Sequence, residues 1–81
     1  MANRLWEARR EALRMVLRES RLEAGLTQQQ LSLALDRPQS FVSKYESGER
    51  KLDFVEVLDI CTSLGITPQS VIERYLSKVS G

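Results

Sequence analysis

Signals that end α-helices recur along the whole chain, and they restrict what it can fold into more than any other feature. Gly25, Gly48 and Gly65 each follow a stretch with helical spacing of apolar residues, and glycine suits the left-handed conformation that ends a helix. No stretch alternates apolar and polar residues as a half-buried strand would. We therefore predict an all-α fold.

The helix starts are marked as clearly as the ends. Thr27 with Gln30, and Asp53 with Glu56, have the spacing of a capping box, in which each side chain bonds the other residue's backbone amide. Two prolines, which suit the first turn of a helix, mark two further starts. The five helical segments run from about residue 5 to Ala24, Thr27 to Leu35, Pro38 to Ser47, Asp53 to Leu64 and Pro68 to Val79. The first dozen residues also fit a separate short helix or an arm.

The composition is that of one folded domain with a modest core. Apolar residues make up 42% and charged residues 28%, which is too hydrophobic for a disordered chain. The single cysteine, Cys61, has no second cysteine or histidine with which to bind a metal, so we expect a buried thiol in a reducing compartment and no cofactor. No apolar run is long enough to span a bilayer, and the N-terminus carries charges where a signal peptide is apolar. We expect a cytoplasmic protein.

The distribution of charge says more about partners than the net charge of +1. Residues 1–51 contain ten Arg or Lys against seven Asp or Glu, whereas residues 52–81 contain two against four. Positive potential is thus concentrated where phosphate binding would need it. An enzyme is not expected, because the sequence has no histidine, no nucleophile beside a base and no glycine-rich phosphate loop after a strand.

The third segment has an entirely polar outer face. On a helical wheel Val42 and Tyr45 lie on the inner side, with Phe41 at its edge. The opposite side carries Gln39, Ser40, Ser43, Lys44 and Ser47. Their hydroxyl, amide and ammonium groups can bond base edges and phosphates in a major groove. A merely solvated helix face is the alternative interpretation of the same pattern.

The elements follow one another as a capped short helix, a tight turn, a second helix and two further helices. This order resembles that of the Cro and phage-repressor (XRE-type) helix-turn-helix family. The resemblance covers about Leu17 to Ile72 and is carried by Gly25 to Leu31, Pro38 to Glu46, Gly48 to Arg50 and Leu64 to Thr67. It implies a compact five-helix fold like that of lambda repressor over residues 17–81. An N-terminal helical extension over residues 1–16 would continue into the first helix.

Residue by residue, the resemblance also implies which side chains contact DNA. Base edges would be read by Gln39, Ser40, Ser43 and Lys44. Phosphates would be contacted by Gln28, Thr27, Arg37, Ser47, Arg50 and Lys51. Gln28 stands at the N-terminus of the second helix, where free amides and the helix dipole favour an anion, and it could also brace Gln39. Thr27 is mainly a cap on this interpretation.

Some positions depart from the family pattern. Asp36 stands where the turn usually has glycine, but aspartate tolerates left-handed backbone, so we expect the turn to survive. Ser32 stands where a small buried alanine is usual, and we expect its hydroxyl to bond a carbonyl one turn back. Leu33 lies on a side of the second helix that the family leaves to charged residues. Together with Leu5 and Trp6 of the extension, it predicts either a packing contact or a partner surface.

A few aromatic and basic residues allow more than one interpretation. Phe41 is either a core or boundary residue or a contact to a thymine methyl group. Tyr45 is most simply a core residue. Arg10, Arg14 and Arg18 lie among glutamates, and pairing one turn apart on a solvated helix face is sufficient to explain them.

The last segment has more apolar positions than one contact face needs, namely Val71, Ile72, Tyr75, Leu76 and Val79. Some of them must close the core, and the surplus predicts a homodimer interface. A homodimer would place its two copies of the third segment, the helix that reads bases, about one DNA turn apart. The protein would then read a palindromic operator.

These observations together predict a sequence-specific regulator of transcription that binds double-stranded DNA with the helix starting near Pro38. Repression is the default, because a small domain most simply blocks polymerase. The alternative is an antitoxin-like or other protein-binding module whose partner contacts residues 1–16, with DNA binding secondary. No ligand pocket is visible in the sequence.

Overall fold

A computed structural model of the chain describes residues 3–80. Within this range the backbone forms five α-helices and no strand, which confirms the all-α prediction. The helices are α1 (Asn3–Glu23), α2 (Gln28–Ala34), α3 (Phe41–Ser47), α4 (Phe54–Leu64) and α5 (Pro68–Ser80). Met1 and Ala2 of the expected extension, and Gly81 at the other end, lie outside the described residues. No helix among residues 3–80 combines the length and apolar character that crossing a membrane requires.

Helix α1 is continuous, so its early part forms neither a separate short helix nor an arm. The expected boundary between extension and domain, after residue 16, falls inside it without a break. α1 packs against α5 and α3, and its inward face supplies the fully buried Val16 and Leu17. Leu5, Trp6 and Leu33 are each more than half exposed, and Leu33 is 69% exposed, so the packing contact expected between them is not formed.

The local signals that begin helices act as the sequence predicts. Thr27 Oγ1 accepts from the Gln30 amide at 3.0 Å, while Gln30 Oε1 accepts from the Thr27 amide at 2.8 Å. Asp53 and Glu56 form the matching pair, at 2.8 and 3.0 Å. Each box satisfies two backbone amides that would otherwise lack partners, so both helix starts are fixed by residues three apart.

One core cluster joins residues from all five helices. Its buried members are Val16, Leu17, Leu31, Phe41, Val42, Tyr45, Ile60, Cys61, Leu64 and Val71. The prediction that Tyr45 and Cys61 are core residues is confirmed, since both are almost completely buried. Burial raises the pKa of the Cys61 thiol, so this cysteine stays protonated and packs as a small apolar side chain.

The turn between α2 and α3 adopts the conformation expected at Asp36 but not the expected helix start. Asp36 has φ of 56°, the left-handed backbone that aspartate tolerates. Helix α3 begins at Phe41 and not near Pro38. The Phe41 amide bonds the Pro38 carbonyl at 2.9 Å, a spacing of three residues that closes a turn, and the four-residue helical spacing begins with Lys44 and Ser40. Gln39 and Ser40 therefore lie on this turn, just ahead of the helix.

Ser32 takes a different partner from the carbonyl that its place in the helix suggests. Its side chain is fully buried, and its Oγ accepts from the Val42 amide at 3.2 Å. The amides of the first turn of a helix lack partners within that helix, and the Ser40 side chain caps none of them. Ser32 supplies the cap from α2, and this bond ties the two short helices together.

Candidate nucleic-acid interface

Helices α2 and α3 with the turn between them present one open polar surface. Gln28 and Gln29 of α2 line a shallow depression together with Gln39, Ser40 and Ser43. We call this depression the polar groove. It brings together three of the residues predicted to read bases and one predicted to contact a phosphate. Lys44 and Ser47 are exposed on the same helix as Ser43 but do not line the groove.

Two hydroxyls of α3 already use their protons within the helix. Ser43 Oγ donates to the Ser40 carbonyl and Ser47 Oγ donates to the Lys44 carbonyl, both at 3.0 Å. A hydroxyl that donates internally still offers acceptor lone pairs on its outer side. In this conformation Ser43 therefore faces the groove as an acceptor, which suits the amino groups of cytosine and adenine in a major groove.

Phe41 lies in the core and not on the groove. Phe41 is only 6% exposed, and its ring packs edge-to-face against that of Tyr45, with 5.4 Å between the ring centroids. The guanidinium groups of Arg37 and Arg50 lie over the same ring at 4.8 and 4.9 Å. The structure thus favours the core interpretation of Phe41, and little of its surface is left for a thymine methyl.

A buried ion pair fixes Gln28 at the edge of the polar groove. Arg21 donates to both carboxylate oxygens of Glu46, at 2.8 and 3.1 Å, and to the Leu26 carbonyl at 2.8 Å. The side chains of Arg21 and Glu46 are only 7% and 4% exposed. The hydrogen bond to Glu46 raises the pKa of Arg21. Gln28 Nε2 donates to Glu46 Oε1 at 2.8 Å. Gln28 is therefore braced by Glu46, and the contact to Gln39 that the resemblance implied is not formed among these side chains.

A second carboxylate holds two of the predicted phosphate-binding arginines. Arg50 donates to both oxygens of Glu56, at 3.0 and 2.7 Å, and Arg37 donates to one of them at 3.2 Å. The Glu56 side chain is largely buried, whereas those of Arg37 and Arg50 remain more than a third exposed. The cluster carries a net single positive charge, and it leaves guanidinium surface open to solvent beside the turn.

These contacts lower the pKa of Glu56 from 4.5 to about 2, chiefly through the bond from Arg50. Because the folded-state pKa is the lower one, the carboxylate stabilises the fold above about pH 4.5, and this stabilisation is lost as the pH falls towards 2. We expect Glu56→Gln to be less stable than the parent at pH 7 and to lose less stability between pH 5 and 2. Urea unfolding across that range measures both. The control is Glu49→Gln, an exposed carboxylate in the loop before α4, and an acid decline as steep in Glu56→Gln as in the parent would contradict the assignment.

The predicted interface residues of α5 divide into core and surface. Val71 is 3% exposed and belongs to the core, and Tyr75 packs partly against it, so Val71 is not available to a partner. Ile72 and Leu76 are about half exposed and Val79 is also exposed. These three side chains are the surplus that the sequence pattern indicated.

Sequence reasoning missed the residues that hold the interface in place. Glu46, Arg21 and the arginine-binding role of Glu56 follow from contacts between distant parts of the chain, and only the capping role of Glu56 has a local signal. The pairing expected for Arg10 and Arg14 with glutamates one turn away is also wrong, since among residues 3–80 neither arginine forms an ion pair.

The geometry of α2, the turn at Asp36 and α3 defines a helix-turn-helix domain. The family model described as helix-turn-helix matches residues 17–71. An XRE-family like protein from Pseudomonas syringae pv. tomato str. DC3000 is 41% identical, with a TM-score of 0.86 over 94% of this chain and 93% of that one. The crystal structure of the clp gene regulator ClgR from C. glutamicum is 25% identical, with a TM-score of 0.78 over 88% of this chain and 91% of that one. The comparison with curated proteins found no match.

The chain therefore belongs to the Cro and phage-repressor (XRE-type) helix-turn-helix family, whose members bind DNA. The match spans α1 from Leu17 through Val71 in α5. It includes α2, the turn and α3, which position the polar groove.

Proposed function

We propose that the chain is a sequence-specific regulator of transcription that places α3 and the turn before it in the major groove of double-stranded DNA. The observation that carries the proposal is the polar groove itself, which exposes amide and hydroxyl groups on a helix-turn-helix whose inner side is anchored in the core. Such groups distinguish base pairs by hydrogen bonding, while phosphate contacts set the position of the helix.

The proposed contacts follow the sequence prediction with one change. Bases are read by Gln39, Ser40, Ser43 and Lys44. Phosphates are contacted by Gln28, Thr27, Arg37, Ser47, Arg50 and Lys51. Phe41 is left to the core because of its burial. Glu46 and Glu56 hold their neighbours in place, so less side-chain freedom remains to be lost on binding.

The same proposal includes a homodimer formed through Ile72, Leu76 and Val79 of α5, with Tyr75 at its edge. Half-exposed apolar side chains on one helix are costly in water, and a two-fold axis there would pair each protomer's surface with its copy. Two α3 helices would then read a palindromic operator in the cytoplasm. The regulator acts as a repressor on this proposal, since an occupied operator excludes polymerase.

Selection from a randomised duplex library at physiological salt, followed by sequencing of the bound pool, tests the function. We expect two inverted half-sites about one helical turn apart. A single enriched half-site would keep the function and remove the dimer. The absence of any enrichment by the folded protein would refute DNA reading and favour a protein-binding module, for which Leu5 and Trp6 on the exposed start of α1 are the candidate surface.

The dimer has a test of its own. Leu76→Asp places a charge on the proposed apolar interface, so we expect it to be monomeric in sedimentation equilibrium at micromolar concentration, where the parent is dimeric. Its affinity for a two-half-site operator should fall, because the second α3 is no longer tethered. The control for the sedimentation measurement is Leu33→Asp, which changes a still more exposed leucine on α2. A monomeric parent, or a dimer unaffected by Leu76→Asp, would contradict this interface.

A further inference from the structure

A cavity lies between α1 and the loop that follows α3, and of its lining residues the proposed function uses only Arg50 and Lys51. It has a volume of about 260 Å³. Trp6, Leu13 and Leu52 give it an apolar side. Arg10, Arg14, Arg50 and Lys51 bring positive charge to it, against the single acid Glu7. A concave site with an apolar side and a few convergent polar groups is the usual form of a small-molecule site.

Two buried polar atoms of this lining have no hydrogen-bond partner among residues 3–80: the Tyr45 hydroxyl and Arg10 Nε. Tyr45 is 0% exposed, and its ring packs against Phe41 in the core. A buried donor without a partner costs free energy, and native structures rarely leave one unsatisfied without a reason. Burial also raises the pKa of Tyr45, so the phenol stays protonated and can donate.

Two arginines of α1, Arg10 and Arg14, point to the cavity and do not pair with glutamates of the same helix. The Arg10 guanidinium lies over the Trp6 ring at 5.0 Å. The Arg14 guanidinium lies beside Gly48, where an added Cβ would come within 3.1 Å of its Cζ. Gly48 also has φ of 88°, so both its backbone and its missing side chain make room for Arg14 at this point. Arg50 is bonded to Glu56, whereas neither Arg10 nor Arg14 forms an ion pair among residues 3–80.

We propose that this cavity binds a small organic anion, with its phosphate or carboxylate group held by Arg10, Arg14 and the Tyr45 hydroxyl and its apolar body against Trp6, Leu13 and Leu52. Arginine binds both anionic groups through paired N–H donors, and a neutral phenol adds a third donor without adding charge. The bound anion supplies acceptors to the unmatched donors, and its apolar body covers the apolar side of the cavity.

A free small anion fits the cavity better than a phosphate of the DNA backbone. The Tyr45 side chain is completely buried, so a group that bonds its hydroxyl must enter the cavity and displace the side chains that cover it. A phosphodiester in a duplex is flanked by sugars on both sides and stays on the surface, where Lys51 is exposed. The site is thus defined by α1 and Tyr45 and does not depend on DNA binding.

The single tryptophan of the chain lines the cavity, so its fluorescence reports binding directly. The probe is phenyl phosphate, which is titrated into the protein at constant ionic strength. Fluorescence is excited at a wavelength that only the tryptophan absorbs. We expect a saturable change in the parent and a binding constant at least about tenfold weaker in Arg10→Gln and in Tyr45→Phe, the loss of one charged or one neutral hydrogen bond. Arg18→Gln removes an equal charge from an exposed position of α1 outside the cavity and should bind as the parent does.

Tyr45→Phe removes a hydroxyl that has no partner within residues 3–80, so the ring packing should survive, and a thermal midpoint no lower than that of the parent verifies this. No saturable change in the parent up to about 10 mM, weaker than any useful small-molecule affinity, would overturn the proposal. So would equal binding by all four proteins, or equal binding of neutral phenol. If Tyr45→Phe instead weakened binding to duplex DNA and phenyl phosphate did not bind, the phosphate source would be DNA, and the small-anion site would be wrong.

Discussion

Replacing Glu46 with alanine is expected to lower the free energy of unfolding by roughly 3–5 kcal/mol, the usual cost of removing one partner from a buried ion pair. The Arg21 and Glu46 side chains are 7% and 4% exposed. In Glu46→Ala the Arg21 guanidinium keeps only its bond to the Leu26 carbonyl and stays buried with no counter-charge. In a domain of this size the thermal midpoint should fall by at least about 12 °C, since each kcal/mol corresponds to several degrees.

Urea unfolding at pH 7 measures this loss, and two further variants separate its causes. Glu49→Ala removes an exposed carboxylate three residues away and should change the free energy of unfolding by less than about 0.5 kcal/mol. The double variant Arg21→Met with Glu46→Leu removes both charges, so most of the stability should return, because an apolar pair of similar size avoids the desolvation cost. If Glu46→Ala were as stable as the parent, the pair would not be buried in solution.

The same ion pair links the stability of the fold to the polar groove, because Glu46 also holds Gln28. Glu46 Oε1 accepts from Gln28 Nε2 as well as from Arg21, so one carboxylate positions a proposed phosphate contact and closes the core. Loss of Glu46 frees the Gln28 amide at the N-terminus of α2. DNA affinity should therefore fall in Glu46→Ala even at temperatures where the variant is folded.

Local interactions explain how much of the fold the sequence predicts. Thr27 and Gln30 lie three residues apart, and their mutual caps depend only on that spacing, so the start of α2 can be placed from the sequence. The left-handed backbone of Asp36 is implied by the resemblance, which places a glycine there, and aspartate tolerates it. The exception is Pro38, whose ring suits a first helical turn but serves equally in the turn that precedes α3.

Contacts between distant residues explain what the sequence does not predict. Arg21 and Glu46 are 25 positions apart, and Ser32 reaches Val42 across the turn, so neither pair leaves a periodic signal. Local pairing predicts that the Ser32 hydroxyl donates to a carbonyl one turn back, whereas in the fold it accepts from the Val42 amide, which has no partner within α3. The cavity at Tyr45 is hidden for the same reason, since its sides come from α1 and a loop far along the chain.

The interface itself gives the second large effect, and Gln39 is the residue that tests base reading. It is exposed on the turn before α3 and lines the polar groove, where its amide can offer a donor and an acceptor to one base edge. We expect Gln39→Ala to weaken binding to the selected operator by roughly 1–3 kcal/mol, about five- to 150-fold, and to relax selectivity at one position. Binding to random duplex should change little.

Lys51 provides the contrast that separates base reading from phosphate contact. It is exposed beside α3 and, among residues 3–80, takes part in no ion pair, whereas Arg50 is bonded to Glu56 and would be lost together with part of the fold. Lys51→Ala should weaken operator and random DNA alike and lower the salt dependence of binding by about one counterion. Gln69→Ala, an exposed glutamine on α5, serves as the control for both.

Fluorescence anisotropy with labelled operator and random duplex, at several salt concentrations, distinguishes the two variants. The ratio of operator to random affinity should fall in Gln39→Ala and stay constant in Lys51→Ala, because only a base contact depends on sequence. Equal losses on both duplexes for Gln39→Ala would mean that Gln39 contacts the DNA backbone and reads no base. Sequence discrimination would then have to come from the shape of the DNA or from Ser43 and Lys44, which lie further along α3.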